Sequence, residues 1–364
     1  MNKYDDESED EDEEEDNPKN FKYTKTITTD LFTNNFYNNR ACIFYSIIYD
    51  NVYIAYGIKK LDLECYDVKH VKKFIIINQL HKMPFHSCRY YYDNNKKRDL
   101  LITSSEDCHV KLITFKEDDS EIIIDLNFES TIRKIINTAY LFNDVIMVPF
   151  SNIKNGKIDF YKLKYDDSKL PYYYAGSIKE NAGFILGLSH FYCEKDNINY
   201  ALVANSEGIF AYKIYDLSLG DPILYHKFIP KLTEEEKKRN GYDQAYIIMK
   251  NGKYILVGPC FYYGYLFFWD FFDGDLLDQM KLDSGISDIC LWNNNYIFAS
   301  LNGDQSQFIL INSQTHKIEK TFEVDEEDPR GCGIKVIRDK FLGNFLISSS
   351  IKGKLDLYTI DEEL

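Results

Sequence analysis

The chain has 364 residues, of which 45% are hydrophobic and 16% aromatic, and its formal net charge is −15. This length and apolar content can supply a large buried core, and the aromatic share suits β-strands, because Tyr and Phe pack well on half-buried pleated surfaces. The negative charge disfavours nucleic acid as a partner, because phosphate would be repelled, and no apolar run approaches the roughly 18 residues of a membrane-spanning helix.

The first predicted segment is an acidic tail, residues 1–17. It holds eleven carboxylates and one lysine, a formal −10, so the rest of the chain carries the remaining −5. A like-charge block of this density cannot bury apolar surface and predicts disorder. Ser8 lies inside the block and is a candidate phosphorylation site for an acidophilic kinase. The tail is either a solubility segment without a partner or an arm that attracts basic proteins.

The start of the chain also bears on its location. It lacks the basic region and the apolar region of a signal peptide. The eight cysteines are scattered through the chain without a CxxC motif or a Cys/His cluster, which is typical of reduced, buried side chains. We therefore expect a cytoplasmic protein, or alternatively a nuclear one.

One pattern recurs seven times after the tail. Each copy has an apolar run, a small or polar turn, and an alternating strand that ends on an aromatic or aliphatic anchor. The clearest copy spans 254–270 and ends on Trp269 and Asp270. The anchors lie 42 to 57 residues apart: Tyr66, Ile113, Tyr161, Tyr212, Trp269, Ile311 and Tyr358. Repeats of this length with four short strands each predict an all-β protein, a seven-bladed β-propeller over residues 18–364.

The outer strands of the blades follow the anchors. They are predicted at 70–77, 120–127, 172–178, 222–229, 276–282 and 316–324. The last anchor, Tyr358, has no such strand after it, because the sequence stops at Leu364. The segment 21–28 resembles the outer strand that begins at His316, so we expect it to complete the last blade and to close the ring.

A long insertion separates the fourth and fifth repeats. Thr233 followed by three glutamates, then basic residues and Gly241, predicts a short helix with a capping box. The connection leads from an outer strand to the next inner strand, so the helix is expected on the top face of the propeller. Scaffold-held loops are where binding residues concentrate. The candidate protein-binding residues are Lys237, Lys238, Arg239 and Tyr242 in the insertion, and Asp325 and Arg330 in the 325–330 loop.

The sequence contains few patterns that indicate chemistry. It has no GxSxG, HExxH, GxxxxGK[ST] or strand-following GxGxxG motif, so no catalytic residue, cofactor or metal ligand is predicted. His86 and Cys88 share one predicted strand face, but a nucleophile pair would also need an orienting group. The two basic clusters, 96–98 and 237–239, lie in predicted turns and do not form a basic face.

These repeats resemble the WD-repeat, or Gβ-like, propeller family. The resemblance rests on the Trp269-Asp270 pair, on the segment 104–112 around Asp107, and on the blade spacing. Among its members the chain is most similar to divergent proteins of protists. The resemblance implies structural roles for Asp107, Trp269 and Asp270. Family blades also carry a Gly-His pair and a hydrogen-bonded His-Asp-Ser/Thr-Trp tetrad. No Gly-His pair occurs here, so packing of apolar side chains is expected to replace the tetrads.

The functional expectation is a non-enzymatic scaffold or adaptor that presents its loops to protein or peptide partners within a larger complex. One alternative is a binder or chaperone of basic, histone-like proteins that works through the acidic tail. The other alternative is a propeller enzyme, in which ionisable residues from several blades would converge on the central channel.

Overall fold

The computed structural model describes the chain from residue 21 to residue 360, with gaps at 29–40, 58–60, 69, 71, 84, 116–120, 129–138, 152–155, 165–171, 179–183, 219, 238–240, 243, 293–294, 303–307, 323–329, 340–342 and 351–353. The predicted acidic tail, with Ser8, lies outside the described residues.

Four-stranded antiparallel sheets make up the described fold, and six of them consist of four strands consecutive in the chain. Blade 1 contains β2 (Ala41–Ser46), β3 (Asn51–Gly57), β4 (Leu63–Asp67) and β5 (Lys72–Ile77). Blade 2 contains β6 (Phe85–Asp93), β7 (Arg98–Ser105), β8 (His109–Thr114) and β9 (Glu121–Asn127). Blade 3 contains β10 (Tyr140–Phe142), β11 (Val145–Ser151), β12 (Gly156–Leu163) and β13 (Tyr172–Ile178).

The next three blades follow the same order. Blade 4 contains β14 (Ile185–Cys193), β15 (Ile198–Asn205), β16 (Ile209–Ile214) and β17 (Ile223–Phe228). Blade 5 contains β18 (Tyr246–Lys250), β19 (Lys253–Cys260), β20 (Tyr265–Asp270) and β21 (Leu276–Lys281). Blade 6 contains β22 (Gly285–Trp292), β23 (Tyr296–Asn302), β24 (Phe308–Asn312) and β25 (Lys317–Phe322). The predicted outer strands are confirmed to within two residues at each end.

A further sheet joins the two ends of the described chain. Its strands are β26 (Arg330–Asp339), β27 (Gly343–Ser350) and β28 (Lys354–Ile360), and β1 (Phe21–Thr28) pairs with β28 at its edge. Of the side chains in this sheet, only those of Leu357 and Tyr358 belong to the described part.

The expected architecture therefore needs a correction. It assumed seven equivalent blades, whereas six blades, not seven, are described as packed units of consecutive strands with buried side chains. The side chains through which strand β1 would lock the ring lie outside the described residues, so a closing role for this strand is not shown. A sheet assembled from the two ends of a chain cannot have the local connectivity of the other blades, which is the physical reason for the difference.

Turn chemistry accounts for the hairpins between the first two strands of the blades. Their tips place non-glycine residues at positive φ, which Asn and Asp adopt more readily than most side chains. Examples are Asp50 (φ 50°), Asn197 (φ 55°) and Asn251 (φ 50°), the last followed by Gly252 (φ 75°). Part of the abundant Asn of this sequence thus has a conformational role.

The anchors predicted from the repeat coincide with a recurring irregularity. In blades 2 to 6 the pairing between the third and fourth strands shifts by one residue immediately before the anchor, as at Phe268/Trp269 and Leu310/Ile311. A β-bulge of this kind increases the local twist of a strand. The sequence repeat therefore marks the point at which each of these outer edges bends.

Side chains packed between neighbouring blades form the core. Phe44 of blade 1 stacks on Tyr90 of blade 2, with ring centroids 4.5 Å apart, and meets Phe115 edge-on at 5.1 Å. Between blades 4 and 5, Phe271 packs against Tyr200 at 5.0 Å and Phe228 at 5.9 Å. Aromatic pairs in these arrangements add to the stabilisation from area burial. This is the packing expected from the aromatic-rich composition.

The insertion helix is one turn long, α1 (Glu234–Lys237), and its capping box is confirmed. The Glu236 carboxylate accepts hydrogen bonds from the Thr233 amide and hydroxyl, both at 2.9 Å, and the Glu236 amide donates to the Thr233 hydroxyl at 3.3 Å. The hydroxyl of Tyr263, in the β19–β20 turn, donates to the Glu235 carbonyl at 3.2 Å. The helix thus lies on the face that carries the β19–β20 turn, as predicted, and this face is the top face.

Candidate functional site: the top face and the central channel

The WD-type position Asp107 lies in a buried hydrogen-bonded network in blade 2. Its carboxylate accepts from the His81 ring Nδ1 at 3.2 Å, and from the amides of Lys82 at 2.8 Å and His109 at 3.0 Å. The His81 Nε2 meets the Thr103 hydroxyl at 2.9 Å. The network joins the β5–β6 connection, strand β7 and the β7–β8 turn.

This network corrects one expectation from the sequence. Packing was predicted to replace the tetrads throughout, but a His-Asp-Thr arrangement is present in blade 2. His81 follows Leu80 rather than glycine, so a search for a Gly-His pair passes over it. A histidine 26 residues before a turn aspartate is the signal that could have found it.

The electrostatics of the pair are those of a neutral histidine and an ionised aspartate. Burial lowers the pKa of His81, although its hydrogen bond to Asp107 opposes the shift. Burial alone would raise the pKa of Asp107, but the hydrogen bonds from His81 and from the Lys82 and His109 amides outweigh it and hold this pKa well below its usual range. Neutral His81 then donates from Nδ1 and accepts from Thr103, which satisfies both ring nitrogens.

Trp269 and Asp270 end strand β20 of blade 5. The Trp269 ring is 1% exposed and packs near Phe267, at a centroid distance of 5.3 Å, and near Phe228, at 6.0 Å. The Asp270 carboxylate accepts from the amides of Phe272 and Asp273 and pairs with the Lys253 ammonium at 3.1 Å. Both residues hold the blade together.

The candidate partner-binding residues of the insertion differ in exposure. Lys237 is exposed and forms an ion pair with Glu234 at 2.7 Å. Tyr242 is fully buried among the side chains between blades 4 and 5, and its amide donates to the Asn205 carbonyl at 3.1 Å. The structure thus places Tyr242 inside the fold rather than on its surface. An aromatic residue in a long insertion can serve as the apolar anchor of the insertion.

The remaining four candidates lie wholly or partly outside the described residues. Lys238, Arg239 and Asp325 lie outside the described residues. Arg330 begins strand β26, where its backbone pairs with Ser350, and its side chain also lies outside the described residues.

Two exposed apolar residues flank the anchored insertion on the top face. Ile229, at the start of the insertion, is 51% exposed, and Tyr262, in the β19–β20 turn, is 57% exposed. Backbone hydrogen bonds fasten the insertion to the turns on both sides. The Phe261 amide donates to the Gly241 carbonyl at 2.8 Å, and the Tyr242 amide donates to the Asn205 carbonyl, at the start of the β15–β16 turn. We call Ile229, α1 and the turn 261–264 the insertion surface.

The inner strands surround a central channel with a cavity of about 690 Å³. Its described lining combines aromatic rings, aliphatic side chains and three cysteines with a few polar groups. The polar lining residues are Arg89, Ser189, His190 and Gln244, together with the tyrosines Tyr45, Tyr90, Tyr91, Tyr140 and Tyr246. No aspartate or glutamate occurs among the described lining residues.

The His86/Cys88 pair singled out from the sequence is not observed as a unit, because the His86 side chain lies outside the described residues. Cys88 instead faces Cys42 across the boundary of blades 1 and 2, with the sulfur atoms 3.6 Å apart. The contact with Cys42, together with burial, raises the pKa of the Cys88 thiol. This is the opposite of the shift that activates a nucleophilic cysteine.

The thiols provide a simple test of this packing. We expect Cys108 to react with iodoacetamide faster than the other described cysteines, because it is the one of intermediate exposure and the rest are buried. Burial also raises the pKa of Cys193 and Cys260, which lowers their thiolate fraction. Peptide mapping after timed labelling of the native protein measures the order, and labelling in denaturant is the control. Equal rates for Cys88 and Cys108 in the native protein would contradict the packing.

The described residues include neither a metal centre nor a membrane-spanning helix. Among them, no group of three or more His, Cys, Asp and Glu side chains could hold a metal ion. In the same part of the chain, no helix combines the length and the apolar character needed to cross a bilayer.

Comparisons with known proteins add evidence on the fold. No family model matches the sequence, and no curated protein matches it either. Among solved structures, a chain of "Crystal Structure of Mitotic Checkpoint Complex" superposes with a TM-score of 0.68 at 9% identity, covering 100% of this chain and 99% of that one. "Crystal structure of WD40 beta propeller domain of Doa1" gives 0.64 at 10% identity, covering 95% and 98%. The chain therefore has the fold of a WD40 β-propeller.

Proposed function

We propose that this propeller is a non-enzymatic interaction scaffold that binds protein or peptide partners through the loops of its top face. The insertion surface is the observation that carries the proposal. Exposed apolar side chains on a surface that is held rigid from below are typical of partner-binding sites. Here Ile229 and Tyr262 are more than half exposed, while Tyr242 of the same insertion is fully buried.

The anchoring of α1 makes this surface stiff. Besides the Tyr263 bond to the Glu235 carbonyl, the Tyr265 hydroxyl donates to the Glu236 carboxylate at 3.1 Å. The Lys281 ammonium lies 3.9 Å from the centroid of the Tyr265 ring and contacts the Tyr263 carbonyl. A partner meeting a surface that is ordered beforehand loses less conformational entropy on binding.

Two further observations support a scaffold. One solved structure of similar fold is part of an assembly, the mitotic checkpoint complex, which favours protein partners by analogy of fold. The channel lining, in its described part, offers one guanidinium and many rings, whereas a glycosidase-type propeller enzyme would need paired carboxylates. The acidic tail, as an arm for basic proteins, remains the second proposal, and it rests on the charge of residues 1–17.

Partner capture with matched variants tests the proposal. We expect Tyr262→Glu to remove partners that the unaltered chain retains from an extract of its own cells, because it replaces the most exposed aromatic ring of the insertion surface with a charge. Tyr215→Glu is the control: Tyr215 is 51% exposed and follows β16, on the opposite face. Quantitative mass spectrometry of the captured proteins measures the difference.

A chain lacking residues 1–17 completes the experiment. Partners that survive this deletion but are lost with Tyr262→Glu support recognition by the insertion surface. Basic proteins that are lost with the tail and retained by Tyr262→Glu would favour the tail instead. Equal losses with Tyr262→Glu and Tyr215→Glu would contradict a top-face site.

A further inference from the structure

The central channel contains a guanidinium without a described counter-ion. Arg89 projects from β6, the inner strand of blade 2, and lines the cavity. Its Nη2 donates to the Leu188 carbonyl at a long 3.4 Å, and its Cζ lies 4.7 Å from the centroid of the Tyr140 ring. Its Nε is buried and has no hydrogen-bond acceptor within the described chain. These contacts hold the group in place without neutralising it.

The charge on Arg89 is permanent, since a guanidinium keeps its proton in proteins. Arg89 as a whole is partly buried and its Nε is fully buried, so a nearby opposite charge would offset part of its desolvation cost. The described lining includes no carboxylate, and its histidine, His190, is neutral near pH 7 because burial lowers its pKa. The described part of the channel is therefore electropositive at Arg89, within a chain whose formal charge is −15.

A second polar group in the channel has an unused hydrogen-bonding atom. Gln244 is 3% exposed and lines the same cavity. One end of its amide meets the Tyr246 hydroxyl at 2.5 Å, whereas the other end, placed as Nε2, has no partner in the described chain. An amide buried with one end unsatisfied loses stability unless a ligand or water completes it.

The rest of the lining sets the character of the ligand. Phe44, Tyr90, Phe191 and Leu202 present rings and aliphatic carbon to the cavity, which at about 690 Å³ can hold a ligand of drug-like size. Planar guanidinium groups pair best with planar carboxylates, and the Nε of Arg89 has no acceptor in the described chain. We propose that the central channel binds a carboxylate carried on an apolar body, with Arg89 as the anion partner and Gln244 as a hydrogen-bonding partner.

This ligand could be a free acid or an acidic side chain of a peptide, because the recognised chemistry is the same. The channel site is distinct from the insertion surface, so its test is independent of the proposed scaffold function. Ligands in the channel and partners on the top face would be lost through different substitutions.

Two matched pairs of probes distinguish the sources. The first pair is 3-phenylpropionate and its uncharged amide, 3-phenylpropanamide. The second is a five-residue peptide with a central aspartate between phenylalanines and the same peptide with asparagine. Titration of the full chain, followed by ligand-observed NMR and calorimetry, gives the dissociation constants. We expect the acid of at least one pair to bind at least about tenfold more tightly than its amide, the effect of one charge-assisted hydrogen bond.

Variants assign the effect to Arg89. We expect Arg89→Gln to weaken binding of the acid about 10- to 100-fold and to leave the weak binding of the amide unchanged. Lys164→Gln is the matched control, because the Lys164 ammonium also lies over a ring, that of Tyr173 at 5.6 Å, but outside the channel. Circular dichroism establishes that the variants are folded.

The comparison of acid with amide on the unaltered chain stands even if Arg89→Gln does not fold. Equal binding of acid and amide would overturn the proposal, and so would the absence of acid binding up to about 10 mM. Unchanged acid binding by a folded Arg89→Gln protein would also overturn it. Binding of the phenylpropionate alone would indicate a free acid as the ligand class, and binding of the aspartate peptide alone would indicate a peptide side chain.

Discussion

Replacement of Trp269 by alanine is expected to lower the free energy of unfolding by about 3 to 5 kcal/mol, the usual cost of deleting a buried aromatic side chain. The ring is 1% exposed, and it lies so close to Gly258 that a methyl group there would be 2.9 Å from its Cζ3 atom. A cavity left between blades 4 and 5 cannot collapse easily, because strands on both sides are tied by ladder hydrogen bonds. Urea unfolding followed by circular dichroism measures the loss.

Two control variants test whether the loss of stability comes from the cavity that Trp269→Ala leaves. Trp269→Phe keeps an aromatic ring beside Phe228 and Phe267, so its loss should be clearly smaller than that of the alanine variant. Tyr215→Ala removes an exposed ring, and we expect a change within about 0.5 kcal/mol. A loss below about 1 kcal/mol for Trp269→Ala would contradict the assigned role of the anchor.

The second large effect is expected at Asp107. Asp107→Ala should cost about 2 to 4 kcal/mol, because it leaves the buried His81 ring and the amides of Lys82 and His109 without their acceptor. Asp275→Ala, at an exposed turn of blade 5, is the matched control and should change stability by less than about 0.5 kcal/mol. His81→Ala, alone and combined with Asp107→Ala, completes a double-mutant cycle. Because the two residues share one network, the double loss should be smaller than the sum of the single losses.

The same network predicts a dependence of stability on pH. The folded state keeps His81 neutral by lowering its pKa, so stability is complete above the ordinary value of 6.5 and declines as the pH falls through it. The pKa of Asp107 is also lowered, and its contribution is complete above the ordinary value of 3.8 and is lost only below it. Between about pH 7 and pH 5, His81→Gln should therefore show a shallower loss of stability than the unaltered chain. If the free energy of unfolding fell equally steeply with pH in both proteins, a neutral buried His81 would be contradicted.

Much of the blade architecture was predictable from local sequence. The anchors and outer strands follow from alternation and from a period of about 45 residues. Both signals are local, because a strand exposes its pattern in a few consecutive residues. The capping box at Thr233 was also found, since its partners are three residues apart. Propeller membership and the position of the insertion on the top face followed from this regularity together with the order of the strands.

The candidate sites were harder to predict, because they depend on residues distant in the chain. Arg89 and Leu188 meet although 99 residues separate them. Tyr242 was expected at the surface and is buried, since burial depends on how the insertion folds over the turns at Asn205 and Phe261. His81 was not predicted as a tetrad residue, because Leu80 rather than glycine precedes it.

Local sequence was sufficient to predict the all-β propeller class, the positions of the strands and the acidic charge of residues 1–17, because periodicity and composition are properties of adjacent residues. Three features depend on the folded chain: which polar groups face the channel, the pairing of Asp107 with His81, and the assembly of six sheets from four consecutive strands each. These features arise when inner strands of different blades converge on one axis. No local pattern can encode that convergence, since a side chain in a strand has the same alternation whether it faces a neighbouring blade, solvent or the channel.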